Sequence, residues 1–291
     1  MTKQASSSAS GSAYVSRTAA LGRTRRLLGN PALKQLDAAH VAVFGLGGVG
    51  GMAAEALARA GVGHLSVIDA DVFSDSNLNR QILSTVSAVG KLKTEVFCAR
   101  AAEIMPGIRV DAYPLFYDAD TADQIDFSAF DYIVDAIDSL ASKLLIAQNA
   151  ARAGVPMIAC MGTGNKLDPM AFRVADLAKT AVCPLAKAVR VSLRKCGIHH
   201  MKVVYSEEIP VSPAQITANE EAYLQEMAQT LRAACPDRAE PIIRTLYHAS
   251  MPASGRFVPA SVSFVPPAAG LLLASEAVAD LTARHTPVIP H

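Results

Sequence analysis

The stretch "VAVFGLGGVGG", Val41 to Gly51, decides how the rest of the chain is read. Its first residues are a short apolar, β-branched run, which suits a strand buried on both faces. Gly45, Gly47, Gly48 and Gly50 then clear side chains from a turn that leads into the helix-forming "MAAEALARAG". Gly45, Gly47 and Gly50 match G-x-G-x-x-G between a strand and a helix. Such glycines let the backbone approach a phosphate, and the helix amino terminus favours its negative charge. The next apolar run, "HLSVIDADV", carries Asp69 at its end, 19 residues after Gly50, where a carboxylate can bind ribose hydroxyls. To this point NAD, FAD and ATP fit equally well.

Outward from that unit the alternation continues. "KLKTEVFCARAAEIMPG" reads as a helix, "RVDAYPLF" as a strand, "YIVDAIDS" as a buried strand, "KLLIAQNAARAG" as a helix and "VPMIACMGTG" as a fifth strand. Strands alternating with helices predict an α/β fold with a doubly wound, mostly parallel sheet of Rossmann type and ligands at the strands' carboxyl ends. Beyond Gly164 the pattern predicts a helix over "TAVCPLAKAVRVSLRKCG", a strand over "MKVVYSEE" and a surface helix over "NEEAYLQEMAQTLRAAC". The apolar stretch after Phe264 is broken by Pro266, Pro267 and Glu276 and is too short for a membrane span. It is expected to pack on the sheet or in a dimer interface. Residues 1–13 read as a disordered low-complexity tail and 14–291 as one domain. Its nucleotide-binding half covers 14–164 and its substrate and dimer half 165–291, with 212–252 unassigned.

Half of the 291 residues are apolar and 18% are charged, which excludes global disorder. Six of the 27 basic residues and none of the 26 acids fall within Met1–Leu36, so the remainder is acidic on balance. A basic arm of that kind suits an anionic partner, although a solvated tail is the plainer reading of its first dozen residues. Five scattered cysteines without any C-x-x-C fit reduced thiols in a cytoplasmic protein and give neither a disulfide framework nor a zinc knuckle. The Ser- and Arg-bearing, acid-free start leaves an organellar matrix as the alternative compartment.

The tie between nucleotides is broken downstream. "DADVFSDSNLNRQ" places Asn77, Arg80 and Gln81 after the second strand, and "VGKLK" places Lys93 at the start of the next helix. A redox enzyme has no evident need for Arg and Lys converging on the phosphates. An adenylating enzyme does, because attack at the α-phosphorus builds charge on its oxygens and on the departing pyrophosphate. Asp138, ending "VDAID", is suited to hold Mg²⁺ beside a triphosphate.

Together "GLGGVG", "IDAD", "NLNRQ", "VGKLK" and "DAID" resemble the ubiquitin-activating-type (ThiF/MoeB-like) adenylating superfamily. "DLAKTAVCPLAKAVRVSLRK", "KVVYSEE" and "FVPPAAGLLLASEAVADL" are most similar to its subfamily of tRNA threonylcarbamoyladenosine dehydratases. The resemblance covers roughly residues 17–205, with a weaker echo over 261–281. It implies that Asp69 binds the ATP ribose, that Arg80 and Lys93 contact the phosphates, and that Asp138 binds magnesium. It implies a homodimer in which an arginine ahead of the first strand reaches the partner subunit's ATP. Arg26 is the best match, with Arg23 and Arg25 as neighbouring candidates. The implied reaction is adenylation of the threonyl carboxylate of the modified adenosine, then ring closure that expels AMP. Sulfur-carrier-activating relatives commonly hold zinc through two C-x-x-C pairs, and their absence favours the tRNA subfamily. Adenylation of the C-terminal glycine of a ubiquitin-like sulfur carrier remains the alternative, and a sulfur-trafficking partner stays open.

Each assignment has a blander rival. The glycines could form a tight turn without ligand, Arg80 could pair on the surface, and Asp138 could cap the following helix. Cys183 reads as a partly buried thiol before a nucleophile. Lys187, Arg190 and Arg194 fall on one helix face at i, i+3 and i+7. They are either a solvated basic face or, with the amino-terminal arm, a track for the tRNA backbone.

Overall fold

The structure, a computed structural model, describes residues 15–250 and 259–283. The low-complexity start and the end of the 212–252 segment therefore lie outside the described residues. The elements run α1 (Arg17–Ala20), α2 (Gly22–Ala38), β1 (His40–Phe44), α3 (Gly50–Ala60), β2 (His64–Ile68), α4 (Lys93–Ile104), β3 (Arg109–Tyr113), β4 (Tyr132–Asp135) and α5 (Leu140–Ala153). They continue β5 (Met157–Cys160), β6 (Phe172–Asp176), α6 (Pro184–Lys195), β7 (Lys202–Ser206), α7 (Pro213–Ala234), α8 (Pro236–Ser250) and α9 (Val265–Leu281).

One sheet organises them in the order β3-β2-β1-β4-β5-β7-β6. Every pairing is parallel except β6 with β7, which is antiparallel. The expected doubly wound, mostly parallel sheet is therefore present. β1 and β4 are neighbours although β2 and β3 intervene in sequence, so the chain reverses direction across the sheet at that pair. Loops leaving β1 and β4 diverge there and open a crevice at the strands' carboxyl ends.

Val41, Val43, Leu65, Val67 and Val134 are buried between helix layers, as the continuous apolar runs require. α3 packs through Ala53, Ala54, Leu57 and Ala58, small enough to seat it close to the sheet. α9 lies against α3, with a Cβ added at Gly270 falling only 2.3 Å from the Val49 carbonyl oxygen. The apolar end segment is thus a helix packed within the fold. It is anchored to the sheet by Lys202, whose Nζ lies 2.7 Å from both Asp280 carboxylate oxygens, and by the Tyr132 hydroxyl, which donates to Asp280 Oδ2 at 2.7 Å. The unassigned segment folds mainly as the pair α7 and α8, which share a small apolar cluster of Ala228, Ala239 and Ile243.

Candidate nucleotide-binding site

A cavity of about 1260 Å³ opens at the carboxyl ends of the strands. Gly45, Gly47, Gly48, Asp69, Asn77, Arg80, Gln81, Lys93 and Asp138 all line it, although they come from five separate stretches of sequence. Gly50 lies beneath the turn instead. A Cβ there would fall 1.7 Å from the Gly45 carbonyl oxygen, so the first helical turn and the end of β1 touch only because the residue is glycine. Gly45 adopts φ +87°, which an L side chain rarely tolerates. At Gly47, by contrast, a Cβ would meet nothing within 4 Å, so the open face there belongs to the cavity.

Asp69 ties this loop to β2. Its Oδ2 accepts from the Leu46 N–H at 2.6 Å and its Oδ1 from the Asp71 N–H at 2.8 Å. Each oxygen keeps a further lone pair for a ribose hydroxyl. Burial pushes the Asp69 carboxyl up, while the Lys93 ammonium at 3.8 Å pulls it down. Lys93 is itself buried, and its Nζ donates to Asp71 Oδ2 at 2.7 Å. Asp71 is therefore the closest partner of the phosphate-contact candidate.

Arg80 Nη1 donates to the Ser76 carbonyl and to Asn79 Oδ1, both at 2.8 Å. Those bonds fix the guanidinium plane and leave its other donors for a ligand. Asn77 accepts from the Ser74 N–H at 3.2 Å and closes the short turn that carries Arg80. Gln81 is buried on the cavity wall with Oε1 unpartnered among the described residues. A buried amide left without a partner marks a position that a ligand hydroxyl or amine can complete. Asp138 is exposed at the carboxyl end of β4, and Ser139, the next residue, caps α5 by accepting from Ser142 N–H. The capping role that rivalled metal binding at Asp138 thus falls to Ser139. Asp135 points inward instead, bonded at 3.0 Å to Lys143, and both side chains are 1% exposed.

The far end of the same cavity is lined by Cys160, Gly162, Lys166, Cys183 and Leu185. Burial pushes the Cys160 thiol up to about 12, so it stays protonated near neutrality. Cys183 is 4% exposed and stands at the amino end of α6. Lys166 went unnoticed in sequence, because a single lysine in "GTGNKLDP" carries no pattern.

Arg23, Arg25 and Arg26 are exposed on α2 and do not line the cavity. Lys187 and Arg194 are exposed on α6, but Arg190 turns back and donates through Nη1 to the Leu177 and Thr180 carbonyls at 3.2 and 3.0 Å. Only two of the three basic side chains on that face are thus directed to solvent. No helix among the described residues is long and apolar enough to cross a membrane.

The ThiF family model matches residues 21–290. The tRNA threonylcarbamoyladenosine dehydratase of Bacillus subtilis (strain 168) is 35% identical over 264 residues, spanning 89% of this chain and 93% of the relative. Among solved structures, the Escherichia coli tRNA N6-threonylcarbamoyladenosine dehydratase in complex with ATP superposes with a TM-score of 0.73 at 29% identity, covering 92% of this chain and 95% of that one. The same enzyme with AMP gives 0.71 at 30% identity, covering 90% and 94%. The glycine loop, the Asp69–Lys93 pair and the sheet's reversal at β1 and β4 therefore stand in a recognised setting: the chain belongs to the ThiF family.

Proposed function

We propose that the protein is an ATP-dependent tRNA threonylcarbamoyladenosine dehydratase. It adenylates the threonyl carboxylate of N6-threonylcarbamoyladenosine in tRNA and closes the product to the cyclic form, releasing AMP and pyrophosphate. The observation that carries this reading is the convergence of Arg80 and Lys93 with the glycine loop and Asp69 on one cavity wall. In that arrangement Asp69 and Gln81 bind the nucleoside, and Arg80 and Lys93 stabilise charge developing on the phosphates. The carboxylate attacks the α-phosphorus and pyrophosphate departs with the electron pair. The carbamoyl group then bonds to the acyl carbon, AMP leaves, and the carbamoyl proton is lost. No enzymic nucleophile is needed for that closure.

Several finer assignments support this reaction. Asp138 offers an exposed, hard carboxylate oxygen on the cavity wall and would hold Mg²⁺, which supplies charge neutralisation to the triphosphate. Arg26 would act on the ATP of a second copy in a homodimer, which accounts for an exposed arginine outside its own cavity. Lys187 and Arg194, with the basic amino-terminal arm, would follow the tRNA backbone through its phosphates. Five free thiols are consistent with a reducing, cytoplasmic setting. One observation favours a second reading: Cys183 lines the same cavity, where it could meet the activated C-terminal glycine of a sulfur carrier or a sulfur-trafficking protein.

The test is the stimulus for AMP and pyrophosphate release. Purified protein with ATP should release both at equal rates with tRNA carrying linear threonylcarbamoyladenosine, and neither with unmodified tRNA. Release driven by a carrier protein ending in Gly-Gly, with modified tRNA inert, would reject the dehydratase reading.

A further inference from the structure

The far end of the cavity contains a buried ammonium that forms no direct salt bridge among the described residues. Lys166 is 3% exposed, yet among the described residues its Nζ donates only to the carbonyl oxygens of Gly162 at 3.2 Å and Ser206 at 3.5 Å. Neither is a carboxylate, and burial holds the ammonium below the usual lysine value although Glu208, whose two oxygens accept from the Leu167 and Asp168 amides, pulls it up from a distance. Every other buried lysine among the described residues forms a direct salt bridge: Lys93 with Asp71, and Lys143 with Asp135. Burying an ammonium without a carboxylate in direct contact is costly, and an anionic ligand at this end of the cavity would offset that cost.

Beside it stands the amino end of α6. Cys183 is the capping residue, but its side chain makes no capping hydrogen bond, and Pro184 follows without an N–H. The Leu185 and Ala186 amides precede the first helical bond, which runs from Lys187 N–H to the Cys183 carbonyl. Gly162, whose carbonyl holds Lys166, packs against this end, where a Cβ would sit 3.8 Å from Cys183 Sγ and 3.9 Å from Leu185 Cβ. A buried ammonium and an uncapped helix start thus meet in one part of the cavity, beyond Arg80 and Lys93 in sheet order. Both favour an anion.

We infer that Lys166 and the amino end of α6 form the subsite for the acceptor carboxylate that is adenylated. The inference rests on the reaction proposed above and names what that reaction leaves unassigned. One carboxylate oxygen is held by Lys166 while the other attacks the α-phosphorus. In the acyl-adenylate the same donors face the acyl carbonyl oxygen, where negative charge gathers as the carbamoyl group adds and before the C–O bond to AMP breaks.

The experiment compares binding in the presence of a non-hydrolysable ATP analogue. Ligands are tRNA with linear threonylcarbamoyladenosine, the same tRNA with that carboxylate converted to a neutral methylamide, and unmodified tRNA. Wild-type protein should bind the carboxylate form about 10–100-fold more tightly than the methylamide, as expected for one hydrogen bond to a charged group. In Lys166→Met, and in the milder Lys166→Gln, the two forms should bind alike, with Lys166→Arg retaining part of the preference. Affinity for the ATP analogue should be unchanged in all three, which also reports that they fold. Undiminished preference for the carboxylate in either neutral variant overturns the inference. A selective loss of analogue affinity also overturns it, because Lys166 would then serve the phosphates of ATP. If wild-type protein converts no modified tRNA and shows no preference, the dehydratase reading itself fails and takes this subsite with it. If wild-type turnover is intact but the preference survives in the variants, the subsite alone fails.

Discussion

Gly47 and Gly50 belong to one motif but face opposite ways, and that difference gives a sharp test of nucleotide binding. A methyl at Gly47 meets no atom within 4 Å, and the backbone there lies outside the left-handed region. Gly47→Ala should therefore leave the fold intact, and through the unfolded state add about 0.4–1 kcal/mol of stability. The added methyl occupies the open side from which a phosphate approaches the loop, and losing one amide contact to a charged ligand costs about 1.5–3 kcal/mol. At about 1.4 kcal/mol per tenfold, ATP affinity should fall roughly 10–150-fold. Gly50→Ala is the opposite case, since its Cβ would lie 1.7 Å from the Gly45 carbonyl oxygen and 2.8 Å from its carbon. Backbone must move, so both stability and ATP affinity should drop. The assays are calorimetric titration with ATP and urea denaturation on the same preparations. Wild-type ATP affinity in Gly47→Ala would refute the reasoning, leaving the loop as a tight turn that meets no phosphate.

Three further expectations follow from named contacts. Lys93→Met should cut turnover about 10²–10³-fold, as for loss of one preorganised donor, and a rapid-quench assay showing under a threefold loss would remove Lys93 from the reaction. Lys143→Met leaves Asp135 buried without its ammonium and should cost about 3–5 kcal/mol in urea denaturation near neutrality. Burial already raises the Asp135 carboxyl above its usual range. A protonated Asp135 favours the fold at low pH, so the deficit of that variant should shrink on acidification; a deficit independent of pH would contradict this. Burial first, and stacked His64 second, hold His40 below its ordinary 6.5, with ring centroids 3.4 Å apart. The unfolded chain then binds the proton more readily, so stability present above 6.5 is lost as pH falls below it. Replacing His40 by Gln should flatten the decline in melting temperature between about pH 7 and about pH 5, and an unchanged slope would contradict the assignment.

The nucleotide half was legible because its signals are local and redundant. A buried strand needs a continuous apolar run, a glycine loop needs glycines at fixed offsets, and each appears in the right order before Asp69, Arg80 and Lys93. The substrate and dimer half offered fewer such rules. β6 escaped notice because it is an antiparallel edge strand in which only Phe172 is buried, with Arg173 and Asp176 where an apolar alternation would be sought. α8 begins at Pro236 and contains Pro241, which obscured its helical pattern. Spacing correctly placed Lys187, Arg190 and Arg194 on one helix, yet only tertiary structure shows Arg190 bonded to the turn at Thr180. Lys166 became visible only through its burial and the lack of a direct salt bridge to it among the described residues, neither of which is a property of sequence.

The central claim is that this cavity joins ATP to a carboxylate on a modified tRNA nucleoside. Its most direct test is mass spectrometry of nucleosides digested from tRNA treated with the protein, ATP and Mg²⁺. The account predicts that linear threonylcarbamoyladenosine loses one water with wild-type protein and stays unchanged with Arg80→Ala. A nucleoside that keeps its mass with wild-type protein, while ATP still binds the cavity, would contradict it.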